Sequence, residues 1–177
     1  MSTTSFAEFI TKGRLGPLFL GISREATEQA LGVPDRWLGK PPCIGPQVLS
    51  PRHAAVWFYY GGKVGIGYDV SDKADHIHVD VEPELKEKYP EVFGTWPLPP
   101  NATMDQVQAA LEAEGIPFEA SDPSSDYYGI LANGDCFVSW FPASADVDVS
   151  GKERPVRVIY KYASPARARQ VFLRTTR

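Results

Sequence analysis

Apolar positions along the chain change spacing in a fixed order, and that order occurs twice. Ser23 precedes a stretch with Ala26, Ala30 and Leu31 at helical spacing, closed by Gly32-Val33-Pro34. A strand-like run follows at 54–60, then Gly61-Gly62, a returning run at 63–68, and an alternating run at 76–81. About eighty positions on, Thr103 precedes Met104, Val107, Ala110 and Leu111, closed by Gly115-Ile116-Pro117. Runs at 127–131 and 136–141 then flank Asn133-Gly134, and a further strand is expected at 156–162. Both segments therefore read helix, stop, loop, strand, Gly turn, strand, loop, strand.

Local chemistry agrees with that spacing. Ser23 and Thr103 supply N-cap oxygens, Thr103 with Gln106 forms a capping box, and Glu25 suits the positive end of its helix. Phe6, Phe9 and Ile10 predict a short amphipathic helix over 5–12. Ser164-Pro165 opens a basic helical segment to Leu173, and 83–89 predicts one more short helix. Gly61-Gly62 reads as a two-residue hairpin turn, with Val64, Ile66 and Tyr68 on one face of the returning strand. The alternation at 76–81 turns Ile77, Val79 and Val81 inward and leaves the histidines outside. Residues 39–52, dense in Pro and Gly, read as loop. The expected fold is α+β: two tandem units, each with helices and a three- or four-stranded antiparallel sheet, joined edge to edge or packed face to face. The units divide as 1–95, with the N-terminal helix, and 96–177, with the C-terminal helical tail.

Bulk properties narrow the function. The 177 residues carry a net charge of −4, which argues against nucleic acid as a partner. No apolar window is long enough to span a bilayer, and the first residues show no export pattern, so a cytoplasmic location is expected. Charge is uneven: Asp69 to Glu91 holds eight acids against three lysines, and Lys152 to Arg177 holds eight basic residues and one Glu. Cys43 and Cys136 are too few for a disulfide framework or a structural zinc site and are read as reduced and buried.

Candidate chemistry is sparse. His76, His78 and Asp80 alternate along one strand and would share a face, as metal ligands must, but no further ligand is placed beside them. His53 lies in the Pro-rich loop without a serine or cysteine nucleophile positioned to use it. Together with His76 and His78 it forms the alternative reading, a small-molecule or metal-binding domain. The glycines at 61–67 lack the spacing of a phosphate loop, and Asp69, Asp72 and Asp75 lack the glycine and terminal glutamate of a calcium loop. No catalytic residue and no cofactor is assigned. Aromatic side chains are the stronger signal. Strict alternation admits about half of them to a core, leaving the rest for a surface, a groove or the junction of the units.

The pattern Gly21-Ile22-Ser23, Leu31-Gly32-x-Pro34, aromatic strand, Gly turn and strand resembles the helix–hairpin unit of BamE/SmpA-like and β-lactamase-inhibitor-protein-like proteins. The likeness runs over about residues 14–162. It implies a tandem pair of units whose sheet grips another protein. With no export pattern and one cysteine in each unit, it points to a cytoplasmic toxin-immunity-type protein. The expectation is thus a non-catalytic binding module that occludes a basic toxin or enzyme site. Trp57, Tyr59, Tyr68, Tyr128 and Trp140 would be its strand-borne anchors, and Asp69, Asp72 and Asp75 its acidic complement.

Overall fold

A computed structural model of the protein describes residues 5–39, 54–81, 102–122, 129–139, 156 and 158–175. Helix α1, Phe6–Lys12, starts where Ser5 Oγ accepts from Glu8 N at 3.1 Å and stops at Gly13, whose φ is 64°. A small hairpin of β1, Arg14–Leu15, and β2, Leu18–Phe19, leads to α2, Arg24–Leu31. Ser23 caps α2 as expected, its Oγ accepting from Ala26 N at 3.2 Å. Helix α3, Met104–Ala113, has both arms of the expected capping box: Thr103 Oγ1 accepts from Gln106 N at 3.3 Å, and Gln106 Oε1 accepts from Thr103 N at 2.9 Å. Helix α4 is Pro165–Thr175.

Among the described residues eight strands form one antiparallel sheet. They are β3 Arg36–Leu38, β4 Val56–Tyr59, β5 Val64–Tyr68, β6 Ala74–Asp80, β7 Phe118–Ala120, β8 Gly129–Ala132, β9 Cys136–Ser139 and β10 Val158–Tyr162. Their spatial order is β3-β4-β5-β6-β10-β9-β8-β7. This order is palindromic: four strands of the first segment run to the seam, and four of the second run back from it. The units join edge to edge, which hides the two longest open edges in each other.

The repeat extends to individual hydrogen bonds. Ala74 N donates to Ile22 O at 2.9 Å, tying β6 to the residue before the α2 cap. Val156 N donates to Ala102 O at 2.7 Å, the same tie one copy later. These ties equate 74 with 156, and hence His78 with Tyr160. Across the seam Val158 faces Asp80, Tyr160 faces His78 and Tyr162 faces His76. His78 and Tyr160, equivalent by the repeat, also oppose each other, so a local two-fold axis passes between them.

Alternation divides the sheet's side chains between two faces. The inner face carries Trp57, Tyr59, Ile66, Ile77, Ile130, Val138 and Ile159, packed under Phe9 and Ile10 of α1 and Met104, Val107 and Leu111 of α3. Each such fully buried side chain contributes about 2 kcal/mol relative to exposure. On the outer face Leu131, Phe137 and Tyr162 form a second cluster with Ala168 and Phe172 of α4.

One turn and four short strands depart from the sequence reading. The β4–β5 connection is not a two-residue turn: Tyr59 pairs with Val64, so Tyr60 to Lys63 form the loop, and Tyr60 itself has a φ of 56°. Asp35 Oδ2 accepts from Gly61 N at 2.8 Å and holds this wider loop. Asn133-Gly134, by contrast, is the expected tight turn, with φ of 52° and 75°. Strands β1, β2, β3 and β7 span two or three residues each, too few to show alternation. The helix expected at 83–89 lies outside the described residues.

Candidate functional site

The β5–β6 connection, residues 69–73, is built by one carboxylate. Asp69 Oδ1 accepts from Ser71 N at 2.8 Å and from Lys73 N at 3.0 Å, and Asp69 N donates to Lys73 O at 2.9 Å. An Asp side chain closing its own loop in this way mimics a backbone turn. Asp72 takes a left-handed φ of 62°, which Asp tolerates better than most residues. Its Oδ1 accepts from Arg24 Nε, and Ser23 forms a single antiparallel bridge with Lys73. At the tip Val70 is 92% exposed, while Asp69, Ser71, Asp72 and Lys73 beside it are polar.

Arg24 locks this turn to the body of the molecule. Only 8% exposed, its guanidinium carbon lies 4.1 Å from the ring centre of Tyr68 and 5.3 Å from that of Trp57. Tyr68 and Trp57 meet edge to face at 5.2 Å. Burial pushes the Tyr68 phenol up to about 12, so it stays neutral beside the cation. Two hollows flank the turn. One, of about 320 Å³, is lined by Arg24, Glu25, Glu28, Trp57 and Asp72. The other, of about 430 Å³, lies among Ala55, Val56, Tyr68, Asp69, Val70, Asp75, His76 and Arg167.

Beyond the second hollow extends the outer face of the first unit. Here Gly65 and Gly67 leave room that imidazoles fill. A Cβ on Gly65 would stand 1.8 Å from His78 Cε1, and one on Gly67 1.8 Å from His76 Cε1. The rings continue into a ladder, with Phe58 to His78 at 5.6 Å, His78 to Tyr160 at 5.2 Å and His76 to Tyr162 at 5.6 Å. Burial, and then the His76 charge, lower the His78 pKa to about 4, so this ring is neutral at physiological pH. Asp75 links the face to α4: its Oδ1 lies 2.6 Å from His76 Nδ1 and its Oδ2 accepts from Arg167. Burial works to raise the Asp75 carboxyl, but the His76 hydrogen bond and charge, with those of Arg167, hold it below the usual carboxylate range.

The sequence-derived site residues fall in three groups. Trp57, Tyr59 and Tyr68 are not surface anchors: they are 1%, 4% and 3% exposed, because their strand positions share the inward face with Val64 and Ile66. The Tyr59 hydroxyl donates to Gly32 O at 3.2 Å, and burial raises its pKa. Asp69, Asp72 and Asp75 are brought together around one turn, yet each is already engaged within the chain, by backbone amides, Arg24, or His76 with Arg167. His53, Tyr128, Trp140 and Cys43 lie outside the described residues. Cys136 is a buried free thiol with a raised pKa.

The histidines are half-buried rather than solvated, since the glycines opposite let them lie down on the sheet. They share the outer face with Asp80, but as a stacked pair 6.5 Å apart, with His76 turned to Asp75. Among the described residues no group of three or more His, Cys, Asp or Glu side chains is placed to hold a metal ion. No described helix is long and apolar enough to cross a membrane.

Two residues of the turn region escaped sequence reasoning. Val70 looks like an isolated apolar residue in a polar loop. Arg24 carried one visible signal: a cation in the first turn of a helix, where the helix dipole favours an acid. No protein-family model, curated protein or solved structure matches the chain.

Proposed function

We propose that this chain is a non-catalytic binding protein of the immunity or inhibitor kind, acting in the cytoplasm, that engages another protein through the 69–73 turn. The observation that carries the reading is Val70, a branched apolar side chain held almost wholly in solvent on a turn whose backbone is already fixed. A preordered anchor loses little conformational entropy on docking, so more of its contact energy appears as affinity. The exposed carboxylates Glu25 and Glu28 stand beside the turn and favour a partner with basic groups around its receiving pocket, which speeds encounter. Asp69 and Asp72 shape the turn, Asp75 ties β6 to α4, and contact is left to Val70. The repeated helix–hairpin order supports placing the chain with tandem BamE/SmpA-like and β-lactamase-inhibitor-protein-like proteins.

The test is affinity capture from the native host with wild type and Val70→Asp side by side, then titration of the purified captured protein. The expected result is saturable binding at micromolar concentration or tighter, weakened at least about tenfold, or about 1.4 kcal/mol, by Val70→Asp, with unchanged thermal stability. Equal binding by both proteins excludes the turn as the contact. Failure to recover any saturable protein partner rejects the function.

A further inference from the structure

We infer that Arg24 is a positioning residue for the 69–73 turn, retained at the expense of stability; the consequence for partner binding rests on the reading above, whereas the effect on the turn does not. The protein contains its own control. Ser23 and Thr103 are equivalent N-caps, so Arg24 and Met104 occupy the same first helical position. Both side chains are buried, Met104 completely. The second unit therefore shows that this fold fills the position with an unbranched apolar chain. The neighbouring equivalence is conservative by comparison: Thr27 and Val107, one turn on, are the same shape and both 0% exposed.

A buried guanidinium is a poor stabiliser in a place that accepts methionine. It gives up hydration, and its return depends on complete pairing. Here pairing is incomplete: Nε reaches Asp72, but buried Nη1 has no hydrogen-bond partner. A buried donor left unpaired is a net cost. Stacking on Tyr68 and Trp57 offsets part of this and fixes the direction of the fork. What arginine supplies and methionine cannot is a rigid donor reaching out of the core to a carboxylate that is 58% exposed. That carboxylate belongs to the one residue of the turn whose backbone is left-handed. Arg24 thereby ties the least favourable conformation in the turn to the buried rings of Trp57 and Tyr68.

The measurement is amide hydrogen exchange at Ser71 and Lys73 together with thermal unfolding, in wild type, Arg24→Met and Asp72→Asn. In Arg24→Met, exchange at those two amides rises about tenfold or more, while the midpoint of unfolding stays unchanged or increases. Asp72→Asn, which removes the charge that compensates buried Arg24, loosens the same amides and lowers the midpoint. Where a partner is in hand, both variants bind it more weakly, mainly through faster dissociation. Unchanged exchange in either variant overturns the inference, and so does a lowered midpoint or failure to fold in Arg24→Met, because Arg24 would then be a structural residue. A lost partner interaction with normal turn exchange overturns it too; no partner at all, with loosened turns, rejects only the function proposed above.

Discussion

The two units share a plan and differ in how each finishes its outer sheet face. In the second, large apolar residues, Leu131 and Phe137, stand on that face and α4 covers them. In the first, the positions equivalent to Leu131 and Phe137 are Phe58 and Gly65, and the imidazole of His78 lies in the space above the glycine. One face is sealed by a helix, the other by rings from the adjacent strand. A repeated scaffold thus tolerates two solutions to the same burial problem, because the shared inner face supplies the common stability. The inner faces diverge as well: Lys161 takes the place that Val79 holds in the first unit. Its ammonium reaches Ile10 O at the end of α1 and Asp135 Oδ1 in the β8–β9 turn.

That buried cation is where the comparison breaks with the largest effect. Lys161→Ala removes the link between α1 and the second unit, leaves a cavity and strands a carbonyl. The expected loss is about 4 kcal/mol, read by denaturant unfolding. Lys161→Met with Asp135→Asn keeps the volume and removes both charges, and should recover more than half of that loss.

Next comes the glycine floor of the first unit. Gly65→Val puts carbon where His78 sits and should destabilise by about 3 kcal/mol. Adding His78→Ala opens the space and should restore at least half, a coupling that a double-mutant cycle measures. Additive losses would mean that the imidazole and the glycine are not partners in packing.

The smallest effect sharpens the contrast between rings and helix. With a native pKa of about 4, below the free imidazole value, the folded state holds neutral His78 better than protonated. Stability is therefore full above about pH 6.5 and falls as pH drops toward 4, by at most about 3 kcal/mol. His78→Phe should flatten unfolding curves between pH 6.5 and 4.5. Any slope left below about pH 4 belongs to the carboxylates, among them Asp75, whose depressed pKa makes it a stabiliser that is lost as it protonates.

Much of the architecture was legible because its signals are local. The caps Ser23 and Thr103, the capping box, Asn133-Gly134 and the alternation of Ile77, Val79 and Val81 act over a few residues, and each appears where the sequence put it. The site was less legible. Alternation predicts that half of the strand aromatics turn inward but not which half, and Trp57, Tyr59 and Tyr68 all took the buried side. Of the acidic residues read as a solvent-facing complement, Asp69 and Asp72 proved to be held by the amides of 71 and 73 and by Arg24, and Asp75 by His76 and Arg167.

By itself the sequence determined that a helix–hairpin unit occurs twice, because capping chemistry and residue spacing are written over short range. Tertiary structure alone decided that the units meet at β6 and β10 about an axis between His78 and Tyr160, that imidazoles roof the glycines, and that Arg24 reaches Asp72. Those choices join residues dozens of positions apart. They depend on which edges and volumes remain unfilled once each unit has folded, and no short-range pattern records that.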